Sequence, residues 1–189
     1  MKYAELAAFL ERLEAEPGRL GMTRILVELL ERVPRTDVEP MVRLLQGAVA
    51  PDWEGIELGL AEKQIAKAIA TACGAEPAAV TKVYQETGDM GLTAERLLGG
   101  KGGGRRQATL FGGDGGDALT VKSVFRTLTE VAHTTGTGSQ EGKQRLLARM
   151  LLEASPLEAR YVTRTVAGGG QLVAPLRMVQ RPPDRLTYG

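Results

Sequence analysis

The sequence has one cysteine, one histidine and no long apolar run. The single cysteine, Cys73, excludes an internal disulfide and every metal site built from several cysteines. The single histidine, His133, cannot build a metal site, and without a paired cysteine or an acidic motif we do not expect it to act as a general base. No segment approaches the roughly 18 apolar residues of a membrane span, and the amphipathic start MKYAELAAFLERLEAE does not fit a signal peptide. We therefore expect a cytoplasmic protein with no membrane contact and no metal centre.

An excess of charge of either sign is also missing. Lysine and arginine number 24 against 23 aspartates and glutamates, so the formal net charge is +1. This balance is not the overall signature of a nucleic-acid-binding protein, and a DNA-binding surface would have to come from basic residues gathered on one face. The 189 residues are 43% hydrophobic, which is enough to bury a core in one globular domain.

Apolar residues recur at helical spacing along most of residues 1–168. In the first helix they form a stripe from Tyr3 to Leu13. The same pattern predicts helices after Thr23 and over residues 38–45, 60–73, 76–87, 92–98 and 121–134. The sequence predicts an all-α, compact multi-helix domain over 1–168, with a flexible glycine-rich loop at 99–118 and an irregular tail at 169–189.

Two segments of the chain repeat the pattern of a helical hairpin. LLERVPRTDVEPMVRLLQG (29–47) and LLEASPLEARYVTRTVAG (151–168) share Leu-Leu-Glu, a proline three residues on, and an arginine four residues before a closing glycine. Each copy predicts a helix, a turn opened by proline and a second helix ended by glycine. Two such hairpins suggest a pseudo-twofold body, which suits a ligand with its own approximate twofold, such as a DNA duplex.

A glycine-rich turn, Gly136-Thr137-Gly138-Ser139, precedes a predicted helix that carries Lys143 in its early turns. A helix N-terminus presents unpaired backbone N–H groups, and together with a nearby cation it can bind an anion. The backbone phosphate of a nucleic acid fits such a site, because it needs only N–H groups and positive charge. The alternative is an ordinary helix start with Ser139 as the N-cap.

Nucleotide-binding motifs do not match this turn. A Walker-type loop requires a glycine where the chain has Thr137, and serine or threonine where it has Gln144. The dinucleotide fingerprint also fails, because the run reads G-x-G-x-x-x-G and follows a helical pattern rather than a strand. These mismatches disfavour nucleotide binding at the turn.

Three segments together resemble the N-terminal DNA-binding domain of archaeal and eukaryotic ATP-dependent DNA ligases: ELGLAEK (57–63), TGTGSQEGK (135–143) and ASPLEARYVTRTV (154–166). The resemblance covers about residues 1–168. It implies an all-helical domain that grips the minor groove on both sides of a nick and holds phosphates at turns before helices. The phosphate-facing residues that it implies are Lys63, Gly136, Gly138, Ser139, Gln140, Lys143, Thr163 and Arg164.

The chain departs from that family pattern in two places. The K-x-D-G motif that carries the adenylated lysine of such ligases occurs nowhere in the sequence. We therefore expect no catalytic residue and no cofactor in this chain, with ATP and magnesium needed only by catalytic domains that it lacks. The second departure follows Gly168, where the sequence reads GGGQLVAPLRMVQRPPDRLTYG instead of a run of the type RLGVGE.

A short motif lies between the glycine runs of the predicted loop. Archaeal ligases of the family carry a sliding-clamp-binding motif in this region, and Gln107-Ala108-Thr109-Leu110-Phe111 resembles a short version of it. Gln107 would hydrogen-bond in a small polar pocket, while Leu110 and Phe111 fill a hydrophobic one. Gly112 stands where a second aromatic residue is usual, and this should weaken the contact. The alternative is that Leu110 and Phe111 fold back onto the helices.

These observations predict a monomeric, non-catalytic DNA-binding module of an ATP-dependent DNA ligase, acting on nicked duplex DNA at the nucleoid during replication and repair. The main alternative is a helical protein-interaction scaffold that tethers a sliding clamp without binding DNA itself, which the near-neutral net charge favours. A phosphate-binding enzyme that uses the GTGSQEGK turn is a third, weaker interpretation.

Overall fold

The computed structural model of the protein describes residues 1–50, 54, 58, 60–100 and 118–168, and this part of the chain is all-helical. Its one β-type pairing is an isolated bridge between Lys2 and Thr120. The predicted all-α class is therefore confirmed. The helices are α1 (Tyr3–Ala15), α2 (Arg19–Arg32), α3 (Val38–Leu45), α4 (Glu62–Cys73), α5 (Pro77–Thr87), α6 (Met90–Gly99), α7 (Val121–His133), α8 (Ser139–Glu153) and α9 (Pro156–Val166), with a 3₁₀ turn at Arg35–Asp37.

One apolar cluster joins all of these helices. The predicted stripe of α1 faces inward, with Tyr3 and Leu13 buried, and each other helix in the described part contributes at least one buried apolar side chain. The largest buried side chains outside α1 include Leu29, Met41, Ile65, Leu128, Leu147 and Tyr161. Helices bury such stripes because apolar area removed from water stabilises the fold by about 25 cal/mol per Å². No helix among the described residues is both long and apolar enough to cross a membrane.

Several helix starts differ from the sequence-based expectation by one to a few residues, including those of α2, α4, α6 and α8. The second helix begins at Arg19, so Thr23 lies inside it and donates its hydroxyl hydrogen bond to the Arg19 carbonyl. Burial of Met22 accounts for the extra turn, because the helix must extend to bring that side chain into the core. Ser139 is the first residue of α8 rather than its N-cap, which is Gly138. Thr120, in contrast, caps α7 as predicted and forms a full capping box with Ser123.

The two sequence-related hairpins contain helices where the pattern predicts them. The first copy spans the end of α2, the 3₁₀ turn and α3, and the second spans the end of α8 and all of α9. Each is followed by a glycine with positive φ, 69° at Gly47 and 113° at Gly168. A left-handed residue after a helix is favourable only for glycine, which explains the closing residue of each copy. The pseudo-twofold relation between the copies stays a prediction.

Two helix pairs position the predicted phosphate-facing residues of α4, α8 and α9. Helix α4 packs along α8, and α6 packs closely against α9. The second contact depends on Gly91, because a Cβ atom there would lie 2.6 Å from the Arg160 carbonyl oxygen and 2.6 Å from the Arg164 Cγ atom. The predicted glycine-rich loop falls mostly, and the predicted tail entirely, outside the described residues.

Candidate nucleic-acid interface

The glycine-rich turn before α8 lies at the surface. Gly136 and Gly138 have φ angles of 89° and 80°, and no atom lies within 4 Å of the position that a Cβ would take at either residue. Positive φ explains the choice of glycine at both positions. The turn therefore exposes its backbone to solvent, and a phosphate could approach it without meeting a side chain.

Helix α4 and helix α8 both begin without a side-chain cap. Helices α7 and α9 begin with complete capping boxes, whereas α1, α2, α3 and α5 also lack a side-chain cap, so what distinguishes α4 and α8 is their packing against each other. The first N–H groups of a helix carry a partial positive charge, and without a capping side chain they can bind an external anion. Each of the two helices also has a glutamate in its first turn, Glu62 and Glu141, so a bound phosphate must approach the backbone away from these carboxylates.

Lys143 holds these two helix starts together. Its ammonium group donates a 2.9 Å hydrogen bond to the Leu58 carbonyl, which belongs to the segment just before α4. Lys143 lies in the second turn of α8 and is only 6% exposed. The bond thus places the segment before α4 next to the second turn of α8.

Two exposed lysines lie near the start of α4. Lys63 is in its first turn, and Lys67 lies one helical turn further on. Neither ammonium forms an ion pair within the described part of the chain. Positive charge beside an uncapped helix N-terminus favours an anion, because the charge of the lysine and the helix dipole act in the same direction.

Thr163 and Arg164 lie in the interior rather than at the surface. Arg164 is 5% exposed; its Nε donates to an Asp89 carboxylate oxygen at 3.0 Å and one terminal nitrogen donates to Glu14 at 2.8 Å. Thr163 is fully buried, and its hydroxyl has no hydrogen-bond partner among the described residues. The charge of Arg164 is therefore neutralised within the protein.

A second arginine extends this ionic cluster, which runs from the buried Arg164 to the surface at Glu14, whose side chain is 38% exposed. Arg160 lies 3.1 Å from Glu14 and 3.5 Å from Glu95, and the Tyr161 hydroxyl donates to Glu14 at 2.9 Å. The cluster connects α1, α6 and α9, because Glu14 lies on α1 and Glu95 on α6. Its role in the fold is to fix the position of α9 against the other two helices.

Glu14 has an altered pKa because of these partners. Partial burial alone would raise the pKa of the Glu14 carboxyl group, but hydrogen bonds from Arg164 and Tyr161 and the charges of Arg164 and Arg160 lower it overall. The carboxylate form is thus favoured in the folded protein. The pKa of the Tyr161 phenol is raised, first by burial and then by its hydrogen bond to Glu14, so this hydroxyl stays protonated as a donor.

The eight residues predicted to face phosphates therefore divide into two groups. Five of them lie at or near the surface around the paired helix starts: Lys63, Gly136, Gly138, Ser139 and Gln140. The other three, Lys143, Thr163 and Arg164, are buried, and Lys143 and Arg164 already bind groups of the protein. The predicted clamp-binding residues, Gln107, Leu110 and Phe111, lie outside the described residues.

Comparison with known proteins identifies the family of this fold. Residues 2–178 match the family model described as DNA ligase N terminus. The chain belongs to this family. It is 42% identical over 169 residues to DNA ligase 2 of Thermofilum pendens, 41% identical over 169 residues to the DNA ligase of Aeropyrum pernix, and 37% identical over 173 residues to that of Saccharolobus solfataricus. These alignments cover 87–89% of the chain but only 28% of each relative.

Two residues that shape this DNA ligase N-terminal domain, Asp89 and Glu14, were not among the residues predicted from the sequence. Asp89 caps α6 by accepting from the Leu92 N–H at 2.9 Å, and the same carboxylate binds Arg164, 75 residues away. Glu14 lies on the polar side of α1 and looks like an ordinary solvated residue in the helical pattern. The cap could be predicted from Asp89 standing just before an apolar run, whereas the pairing with Arg164 depends on the tertiary packing of α6 on α9.

Proposed function

We propose that the chain is the non-catalytic DNA-binding module of an ATP-dependent DNA ligase, and that it holds nicked duplex DNA through backbone phosphates and the minor groove. The observation that supports this most directly is the pair of uncapped helix N-termini, α4 and α8, joined by the bond from Lys143 to Leu58. Two neighbouring anion sites suit a phosphate backbone, which presents charges at regular intervals. Membership of the DNA ligase family supports the same conclusion.

The exposed residues would bind the phosphates in this proposal. The backbone of the Gly136–Gln140 turn accepts close approach because both glycines lack a Cβ, and Lys63 supplies a charge that water can reach. Such contacts carry no sequence information, so we expect the domain to bind duplexes of different sequence with similar affinity. Access to the minor groove would follow from docking both turns on one duplex.

The buried residues would act indirectly. Lys143 sets the distance between the two helix starts, and Arg164 fixes α9 against α1 and α6 through Glu14 and Asp89. Both side chains would have to leave partners within the protein to reach a phosphate, which costs more than a surface contact provides. We therefore propose that they are positioning residues of the interface.

The chemistry of ligation would belong to other parts of a longer protein. The chain spans 28% of the length of the relatives described above, and it contains no K-x-D-G motif. Adenylation requires that lysine as the nucleophile, so this module would contribute substrate binding alone.

We also propose that residues 107–111 bind a sliding clamp. The support is the sequence Gln-Ala-Thr-Leu-Phe, set between glycine runs that would let the segment order on a partner. This contact would add a protein partner to the DNA-binding module without using the turns before α4 and α8.

Salt-dependent binding to a nicked duplex tests the DNA-binding proposal. Wild-type protein should bind at low salt and lose affinity steeply from about 50 to 200 mM salt, because phosphate contacts release counterions. Lys63→Ala should reduce the slope of log affinity against log salt by about 0.9, the value for one lost phosphate contact. Arg149→Ala is the matched control, since Arg149 is exposed on α8 but lies about 15 Å along the helix from its start.

Two outcomes would contradict the proposal. Absence of duplex binding at low salt would reject DNA binding by this domain and favour the scaffold interpretation. Equal slopes for wild type, Lys63→Ala and Arg149→Ala would remove the start of α4 from the interface.

A further inference from the structure

A groove of about 290 Å³ separates α4 from α5 and ends at the start of α6. Its apolar surface comes from Ala66 on α4, Pro77 on α5 and Met90 at the N-terminus of α6. Met90 is only 5% exposed and forms the floor. The volume lies near the lower limit of small-molecule sites, roughly 300 Å³, so the groove can hold one compact group.

One wall of the groove carries two lysines. Lys63 and Lys67 are one helical turn apart on α4, which places their Cβ atoms about 5–6 Å from each other along the same edge. Both side chains are exposed, and neither forms an ion pair with the residues that the structure describes. An anion at this edge would therefore meet two available positive charges.

The opposite wall carries the groove's aromatic side chain, Tyr84, which is partly buried. Burial raises the pKa of the Tyr84 phenol, and so do the charge of the Glu62 carboxylate, a hydrogen bond to Glu62 and the charge of Asp89. The phenol is therefore neutral at physiological pH and does not repel an anion. Glu62 stands at the rim, where its carboxylate can accept hydrogen bonds.

We propose that this groove binds a single nucleoside phosphate, with the base against Tyr84 and Met90 and the phosphate between Lys63 and Lys67. A base supplies a flat apolar face for the tyrosine and an exocyclic amino group that can donate to Glu62. A phosphate supplies an anionic partner for the two lysines, which form no ion pair with the described residues. The ligand has two possible sources, a free nucleotide or an unpaired nucleotide at the end of a DNA strand.

An aromatic side chain beside two lysines favours a nucleotide over an acidic peptide. Any anion between Lys63 and Lys67 lies near Glu62, so stacking on Tyr84, and not charge alone, must distinguish the ligand. A nucleotide separates its two chemical parts, so the donor groups of the base can face Glu62 while the phosphate faces the lysines. The proposal shares Lys63 with the proposed duplex interface, but it adds Lys67, Tyr84 and Met90, which that interface does not use.

Amide chemical shifts of the ¹⁵N-labelled protein test the site directly. Titration with dAMP should shift the amide signals of residues 62–67 and 77–84 saturably, whereas inorganic phosphate and adenosine should each bind at least about five-fold more weakly. Tyr84→Leu should weaken dAMP binding about five-fold or more, the usual effect of losing one base-stacking side chain. Lys67→Ala should also weaken it, and this exposed residue can be replaced without disturbing the core.

Lys82→Ala is the matched control, because Lys82 is exposed on α5 but does not line the groove. A second arm compares a nicked duplex with the same duplex that carries one unpaired nucleotide at the nick. Tighter binding of the flapped duplex, lost in Tyr84→Leu, assigns the site to a nucleotide of a DNA end. Binding of dAMP without such a preference assigns it to a free nucleotide.

The inference is overturned if Tyr84→Leu changes neither dAMP binding nor the flap preference. It is also overturned if inorganic phosphate reproduces the shifts of dAMP at equal affinity, which would indicate an ion at the lysines only. The duplex arm rests on the proposed function, but the dAMP arm does not. Failure of wild-type protein to bind any duplex would therefore reject the proposed function and leave the nucleotide test intact.

Discussion

At the scale of single residues, burial decides what a charged side chain can do. Arg164 and Lys63 are both predicted from the sequence to face phosphates, yet one is 5% exposed and the other faces solvent. A buried arginine with two carboxylate partners stabilises the packing of helices, because its charge is compensated inside the protein. An exposed lysine keeps its charge available to a ligand.

Replacing Arg164 should destabilise the domain without removing a phosphate contact. Arg164→Met leaves the largely buried Asp89 carboxylate without its cation, and breaking such a pair costs about 3 kcal/mol or more of unfolding free energy. The double variant Asp89→Asn, Arg164→Met should recover part of this loss, because the largely buried position 89 then carries no uncompensated charge, while the more exposed Glu14 can be solvated by water. Urea denaturation measures both values, and wild-type stability in Arg164→Met would contradict the structural role. A slope of DNA binding against salt reduced by about 0.9 in a folded Arg164 variant would instead indicate a phosphate contact.

The Glu14 carboxylate should make the stability depend on pH. Its pKa is lowered in the folded protein, so its contribution to stability is present above the ordinary glutamate pKa and is lost as pH falls through the folded value. We expect the unfolding free energy to decrease as the pH is lowered into the acidic range, and to decrease less in Glu14→Gln. Glu130→Gln, at an exposed position on α7, is the control. Denaturant titrations across this range test it, and parallel pH profiles for wild type and Glu14→Gln would refute the prediction.

At the scale of helices, the close packing of α6 on α9 positions the ion pair between Asp89 and Arg164. Helix α6 approaches α9 so closely at Gly91 that no side chain fits between them. The approach brings Asp89, the N-cap of α6, within hydrogen-bond distance of Arg164 on α9. The cap of one helix and the ion pair between two helices thus depend on the same glycine.

Gly91→Ala should destabilise the domain by about 1–3 kcal/mol, the usual cost of an added methyl group in a tightly packed contact. The new Cβ would lie 2.6 Å from the Arg160 carbonyl oxygen, which belongs to the backbone and cannot rotate away. Gly99→Ala, at the other end of α6, is the matched control, because its Cβ would lie 3.7 Å from Pro156. Thermal denaturation should show a loss for the first variant and little change for the second, and equal melting temperatures would contradict the assigned role of Gly91.

At the scale of the whole molecule, the net charge is near zero, but the positive and negative side chains are not evenly distributed. Part of the balance is internal, since Arg160 and Arg164 are paired with Glu14, Glu95 and Asp89. The exposed lysines on α4 have no such partners among the described residues. A net charge of +1 is therefore compatible with a locally basic surface, which is what binding to a phosphate backbone requires.

The clamp contact proposed for residues 107–111 should be separable from DNA binding. Phe111→Ala should weaken binding to the sliding clamp of the source organism by about 2 kcal/mol or more, as expected for a buried aromatic hot spot, and leave duplex affinity unchanged. Thr109→Ala is the control, because Thr109 is not one of the three residues predicted to contact the clamp. Calorimetric titration of the clamp into each variant measures the effect. Equal affinities for wild type and Phe111→Ala, or no binding by either, would show that the segment has no such role.

The sequence by itself determined the helices, because their signals are local. The apolar stripe of α1, the range 38–45 for α3 and the Thr120 cap of α7 all depend on residues within about four positions of each other. Local patterns failed where a distant contact intervened. Burial of Met22 in the core moved the start of α2 ahead of Thr23, a shift that its own neighbours do not encode.

Only the tertiary structure decided which of the predicted phosphate-facing residues are available to a ligand. Arg164 is paired with Asp89 across 75 residues, and Lys143 with the Leu58 carbonyl across 85. Whether a charge is compensated depends on which partners the packed helices bring within about 3 Å, and no periodicity in the sequence encodes that distance. The sequence therefore predicted the segments before α4 and α8, but it could not show that the Lys143 side chain joins them by a hydrogen bond to the Leu58 carbonyl.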